Sequence, residues 1–262
     1  MKIRAYGVRG STPVFGPSFT RVGGHTSCLA VSVDNELPTL VLDAGTGLQS
    51  LAEPFIAAGA PFVGTILCTH LHWDHVQGLP FFPPADRDDA DVTFVQPAQG
   101  DPVDVMARAM SPPHFPIGPM GLRGTWKYVA LDAGEHEFPP FHVRAVDVEH
   151  KGGRAFGYRV SHGDASFAYV PDALDDNDEA ILALATDVDC LIRGTPFVAA
   201  EHERAALFGH GTVEHAVEIA RRARARQLVL THHGPMRDDD AVEKIAASVG
   251  ATALVEGMTL TL

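Results

Sequence analysis

The stretch Ile66 to Pro80, ILCTHLHWDHVQGLP, constrains this chain more than any other. It places three histidines and one aspartate (His70, His72, Asp74 and His75) within six residues. The apolar run Phe62 to Cys68 leads in as a buried strand, and Gly78 and Pro80 punctuate the exit. The cluster therefore sits where a strand ends and a loop opens, a common address for ligand sites in α/β folds. The i, i+2 spacing turns the imidazoles of His70 and His72 to one side of an extended segment, and Asp74 and His75 arrive from the following turn. Imidazole plus carboxylate suits zinc, manganese or iron better than magnesium or calcium. The bland alternative is a solvated surface cluster, but ligand-type residues at this tight spacing directly behind a strand argue against it. A zinc-protease helix needs His-Glu-x-x-His on one helical face, which the stretch does not supply.

The remaining ligands must come from elsewhere, and 262 residues are enough for one large domain with a sizeable core. Twenty Lys/Arg against 33 Asp/Glu leave a formal net charge of −13, which disfavours a long nucleic-acid footprint. A small phosphate substrate stays open, because bound dications change the local field. The N-terminal MKIRAYGVRG lacks an apolar signal core, and no apolar run approaches membrane-spanning length. Cys28, Cys68 and Cys190 are scattered and form no CxxC pair; they read as buried small hydrophobes in a reducing, cytoplasmic compartment.

Strands are expected at Lys2–Val8, Ser27–Val33, Thr39–Leu42 and Asp91–Val95, then at Trp126–Leu131, Phe141–Val148, Ala155–Ser161 and Ser166–Val170, and at Asp189–Arg193 and Gln227–Leu230. Helices are expected from Leu48, over Asp101–Met110, Asp175–Ala185, Thr212–Arg224 and Asp238–Ser248. The turn DAGTG at Asp43 to Gly47 has no Walker lysine and no GxGxxG; it reads as a structural turn that lets backbone approach the histidine loop. Ser111 to Gly124, rich in Pro, Gly and Met, is either an active-site flap or an ordered surface loop. No composition shift marks a linker, so residues 1–262 read as a single domain. Two β-rich halves with outer helices imply an α/β fold, a four-layer αββα sandwich.

Three further residues end strands as the first cluster does. His150 follows Phe141–Val148, Asp172 follows Ser166–Val170, and His232 follows Gln227–Leu230. Each alone reads as a cap or turn residue. As a set with the histidine cluster, they imply convergence of four segments on one sheet edge.

These motifs resemble the metallo-β-lactamase superfamily over nearly the whole chain. HLHWDH is similar to the HxHxDH signature of its dinuclear hydrolases. VEH at 148–150, YVPDA at 169–173, FGHGTVEHA at 208–216 and LVLTHHGP at 228–235 follow in the family's order. The last two resemble its ribonuclease Z and phosphodiesterase branch. The resemblance implies two divalent metal ions, zinc foremost, with manganese or iron as alternatives. It implies one metal on His70, His72 and His150, a second on Asp74, His75 and His232, and Asp172 between them. Asp74 would also orient the attacking water, and His210 would protonate the leaving group or contact the scissile phosphate. His233 has no assigned role.

The chain departs from that branch in places. Arg193 and Gly194 stand where the branch often carries His-Glu or His-Asp, so the acid that would orient His210 is missing from its usual place. Arg193 reads either as a fixed cation for an anionic substrate or as a structural salt bridge. His25 replaces the more usual Asn and either lines the site or satisfies loop hydrogen bonds. No long insertion offers an arm for gripping tRNA. The expected function is a dinuclear metal-dependent hydrolase, a phosphodiesterase for a small or single-stranded phosphate ester, acting through a metal-activated hydroxide. A thioesterase or lactonase on the same ligands, and a redox or non-catalytic metal-binding module, are the alternatives. No membrane partner is expected, and a homodimer is left open.

Overall fold

Alternation along the strands sorts the apolar side chains onto two faces. The computed structural model describes residues 1–176 and 178–262. On β1 (Lys2–Gly7), β2 (Cys28–Ser32) and β3 (Leu40–Leu42), the residues Ile3, Leu29, Val31, Leu40 and Leu42 enter one core. Cys28, Ala30 and Val41 enter another, as the two-residue period of a strand requires. These three strands continue into β4 (Val63–Leu67), β5 (Asp91–Pro97) and β6 (Thr125–Leu131) to make the first sheet. Its other edge is the last strand, β14 (Thr259–Thr261), paired antiparallel with β1. The second sheet is laid down by β7 (Gly134–Phe138), β8 (Phe141–Val148), β9 (Ala155–His162), β10 (Ala165–Val170), β11 (Cys190–Gly194), β12 (Gln227–Thr231) and β13 (Thr252–Ala253). Phe141, Val143, Tyr158, Phe167 and Ile192 meet Leu29, Val31 and Leu67 between the sheets.

The outer faces are covered by helices. α1 (Leu48–Ala58) buries Leu48, Leu51 and Phe55 against the first sheet. The short α2 (Trp73–Val76) carries part of the histidine cluster, and α3 (Pro102–Ala107) is capped by Asp101, whose carboxylate accepts from Val103 and Asp104. α4 (Asp178–Ala185) packs Ile181 and Leu184 on the second sheet. α5 (His202–Phe208) precedes α6 (Val213–Ala223), which buries Ala216, Ile219, Ala220 and Ala223 along one stripe. α7 (Asp239–Ser248) closes the same layer against Leu230 through Ala246. The architecture is the expected αββα sandwich.

Some local expectations shift. The helix expected from Asp101 to Met110 stops at Ala107, ahead of Pro112 and Pro113. The helix expected from Asp175 starts at Asp178, and Asn177 lies outside the described residues. Among the described residues, no helix is long and apolar enough to cross a membrane.

α6 is tied to the start of α4 and to the turn before it through His215, whose Nε2 lies 2.7 Å from Asp178 and whose Nδ1 lies 2.9 Å from Asp175. Burial alone would lower the imidazole pKa, but the two carboxylates raise it above its ordinary 6.5. A raised folded value means stabilisation that is complete below the unfolded pKa and lost as pH rises through the folded one. His215→Gln is therefore expected to lower stability by about 1 kcal/mol at low pH. The difference from the unaltered protein should shrink on the alkaline side, as denaturant melts across the pH range will show. A pH-independent difference would remove the charged pair from the account.

Candidate metal centre

The chain places its ligand-type residues at one end of the sandwich. His70 and His72 lie just past β4, and Asp74 and His75 lie on α2. His150 follows β8, Asp172 follows β10 and His232 follows β12. β8 and β10 both run antiparallel to β9, and β11 and β12 run parallel to β10, so three C-terminal ends fall together. The centre is thus shared by both sheets. Convergence on the edge of a single sheet, the expectation from sequence, is corrected: β4 belongs to the first sheet and the other three strands to the second.

Two groups form around Asp172. In the first, His150 Nε2 lies 3.1 Å from His72 Nδ1, and Asp172 Oδ2 is 3.4 Å from His150 Nε2 and 3.5 Å from His70 Nε2. In the second, His232 Nε2 lies 3.1 Å from Asp74 Oδ2 and 3.3 Å from His75 Nε2, which itself is 3.3 Å from Asp74 Oδ2. Asp172 Oδ1 approaches this group at 3.0 Å from His232 Nε2. Asp172 Oδ1 therefore faces His232, while Oδ2 lies among His150, His70 and, at 3.6 Å, His75 of the second group. His210 stands at the side, its Nδ1 3.9 Å from Asp172 Oδ2.

The outer nitrogens show what this cluster accommodates. His75 Nδ1 is 2.8 Å from Asp43, His150 Nδ1 is 2.7 Å from the Gly209 carbonyl, and His70 Nδ1 is 3.1 Å from Thr69 Oγ1. A neutral ring has one N–H, and in His70 and His150 it is used on the outside. The inner lone pairs then converge on carboxylate oxygens, with which they cannot hydrogen-bond. His70 Nε2 and Asp172 Oδ1 are buried without any hydrogen-bond partner among the described residues. His70, His72, His150, Asp172, Asp74, His75 and His232 fit divalent metal, which would resolve this; outer-nitrogen contacts of this kind are how metal-ligating histidines are usually oriented.

Titration follows the same electrostatics. Burial would raise the carboxyls of Asp74 and Asp172, but the surrounding histidines hold both well below the usual carboxylate range. Burial would lower His232, yet Asp172 and Asp74 push it up to about 9; Asp74 and Asp43 likewise raise His75. In His70 burial dominates and the pKa falls well below 6.5. His210 is lowered to about 4, again mainly by burial.

Sequence reasoning missed the residue that holds this centre from outside. Asp43, fully buried at the end of β3, accepts from Thr69 N at 2.7 Å, Thr69 Oγ1 at 2.9 Å and Tyr169 OH at 2.9 Å besides meeting His75. The signal was an acid ending a strand that runs parallel to β4. Ser11 was also missed; its backbone N–H donates to Asp74 Oδ2 at 2.7 Å. Of the six non-glycine residues with positive φ among those described, Ser11, Asp43 and His232 are all at this centre. Such strain concentrates where surrounding structure enforces a functional geometry. The DAGTG turn sits against the histidine loop: a Cβ on Gly45 would lie 2.3 Å from the Asp74 carbonyl.

Other expectations resolve differently. Arg193 is 1 % exposed and offers nothing to a substrate; it donates to the carbonyls of Val170, Ala173 and Gly194 and so braces the turn carrying Asp172. The salt bridge proposed for it is absent among the described residues. A side chain at position 194 has no room, since its Cβ would lie 1.5 Å from the Pro171 carbonyl. His25 meets Ser50, and His233 Nε2 donates to the Leu254 carbonyl, away from the cluster. His114 and Phe115 of the 111–124 loop line a neighbouring groove with Phe81, outside the main cavity.

That main cavity, of about 750 Å³, opens over the cluster. His72, Asp74, His150, Asp172, His210 and His232 line it. Pro196, Phe197, Phe208 and Met236 are among the residues of its wall.

Residues 39–233 match the family model described as the beta-lactamase superfamily domain. A ribonuclease Z from Natronomonas pharaonis is 25% identical over 256 residues, covering 78% of this chain and 80% of its own. The metallo-β-lactamase fold protein YhfI from Bacillus subtilis superposes with a TM-score of 0.75 at 17% identity, covering 99% of both chains. The Zn²⁺-bound PqqB from Methylobacterium extorquens gives 0.73 at 19%, covering 100% of both. Fold, relatives and ligand geometry together define a metal-dependent hydrolase of the phosphodiesterase-like kind. The chain belongs to the metallo-β-lactamase superfamily, in its ribonuclease Z and phosphodiesterase-like branch.

Proposed function

We propose that residues 1–262 act as one domain, a dinuclear phosphodiesterase for a small or single-stranded phosphate ester. The observation that carries this reading is the carboxylate of Asp172, which stands between the two groups of histidines, 3.4 Å from His150 and 3.0 Å from His232. His70, His72 and His150 would hold one ion, and Asp74, His75 and His232 the other, with Asp172 between; zinc is the first choice, as in the PqqB structure. When bound, such ions lower the pKa of a coordinated water and neutralise charge developing on the ester. Asp74, fixed by the Ser11 N–H and by His232, orients the attacking water. His210 lines the same cavity; held neutral by burial, it would offer the leaving oxygen an N–H hydrogen bond rather than a proton. No orienting acid stands beside it from position 194; the Gly209 turn and ring contacts with His150, Phe197 and His232 set its alignment.

His210→Ala is expected to leave metal content intact and to slow turnover by roughly 100-fold. Unchanged turnover would remove His210 from the mechanism. The ribonuclease Z relatives raise a longer substrate as an alternative. The net charge of −13 supports a short one. The three buried free cysteines suit a reducing compartment such as the cytoplasm. A thioesterase or lactonase is the second reading, favoured by one observation: Arg193, one of whose two readings was a cation for an anionic substrate, is sealed away. Turnover of an activated phosphodiester beside a thioester and a lactone, after separate reconstitution with zinc, manganese and iron, separates the two. Phosphodiester cleavage abolished by chelation and by His150→Ala supports the first; ester cleavage alone selects the second.

A further inference from the structure

The cavity has a charged floor and an apolar rim, and the rim is built from rings. A ladder of aromatic contacts rises from the floor: His150 to His210 at 5.1 Å, His210 to Phe197 at 6.0 Å, and Phe197 to Phe208 at 6.3 Å with planes only 7° apart. Phe208 is 52 % exposed at the top, and Trp73, next to the ligand His72, is 73 % exposed on the same cavity. Large rings left in water beside a polar centre mark a binding surface. The wall is held in place: Lys151 donates to the Leu207 carbonyl, and Glu201 pairs with Arg237. Arg204 is the remaining rim cation. Among the described residues it has no hydrogen bond or ion pair, and its guanidinium lies 5.8 Å over the Phe197 ring. One free cation with stacked rings suits a monoanion bearing a planar group and gives a polyanionic chain little to hold.

We propose that Trp73, Phe197 and Phe208 form a subsite for a planar aromatic substituent, so that the preferred substrate is a monoanionic ester with an aryl group on the leaving side. This rests on the hydrolase reading above, and its test reads binding as well as chemistry. The chain has two tryptophans, and Trp126 sits on β6, away from the cavity. In a Trp126→Phe background, zinc-loaded protein is titrated with phenyl methyl phosphate and with dimethyl phosphate while Trp73 fluorescence is followed.

The aryl probe is expected to quench Trp73 and to bind at least about tenfold more tightly than the alkyl probe. Phe208→Ala and Phe208→Leu should both weaken the aryl probe about fivefold or more, leaving the alkyl probe unchanged. Leucine keeps apolar bulk without the ring, so its loss of affinity assigns the effect to the planar face. Equal affinities for the two probes, or Phe208 variants that bind both as before, would overturn the subsite. So would a doubled mass in sedimentation that Phe208→Ala abolishes, because the rings would then serve a contact between two copies. If both phosphates fail while benzoate quenches Trp73 with the same dependence on Phe208, the aromatic subsite stands and the phosphodiester reading falls.

Discussion

Asp172→Ala is expected to strip one of two bound metals and to reduce turnover by more than the ~10–100-fold that loss of an outer-shell partner costs. The carboxylate is 2 % exposed and lies between 3.0 and 3.6 Å from His232, His150, His70 and His75. Removing it takes the carboxylate from between the two groups and leaves the histidines facing one another without the negative charge that separates them. Elemental analysis of metal per chain and steady-state turnover check this together. Two metals per chain with activity retained would refute the bridging role. Asp172→Asn is the sharper variant: it keeps shape and loses charge, so a loss in both variants assigns the effect to the carboxylate.

The second large effect is expected at Asp43, which touches no substrate. Asp43→Ala leaves the Thr69 N–H, the Tyr169 hydroxyl and His75 Nδ1 without their shared acceptor in a site of 0 % exposure. Breaking such a buried charged contact costs about 3–5 kcal/mol of stability, and affinity for the ion on the His75 side should fall about 10–100-fold. Melting temperature and competition with a chromophoric chelator read the two separately. Asp43→Asn retains one oxygen and should recover part of the stability while restoring less of the affinity, because an amide cannot hold the His75 N–H as an anion does. Equal metal affinity in all three proteins would confine Asp43 to a folding role.

Much of this centre could be read from sequence because its densest part is local. His70 to His75 are six consecutive positions, and a strand before them with a turn after them needs no tertiary knowledge to recognise. His150, Asp172 and His232 were legible through a weaker signal, the ends of clear apolar runs, and through family order. What was not legible depends on contacts between distant segments. Asp43 becomes an outer partner only because β3 lies parallel to β4. Arg193 looks available in sequence, and only the turn over Pro171 encloses it. α5 and β7 are short, with charged residues mixed among apolar ones, so their own propensity is weak and packing decides them. The missed α5 carries Arg204 and Phe208, which is why the cavity floor was anticipated and its rim was not.

Because β4 belongs to one sheet and β8, β10 and β12 to the other, an ion held at this end acts as a rivet through the two layers. The bridged positions lie as far apart in the chain as 70 and 232, so closing that loop early in folding carries a large entropic penalty. The first four positions of the cluster are made long before the last one leaves the ribosome, and the pocket is complete only once the second layer has docked. Stability should then climb with the logarithm of free metal concentration above the dissociation constant, tying the protein's lifetime in the cell to its metal supply.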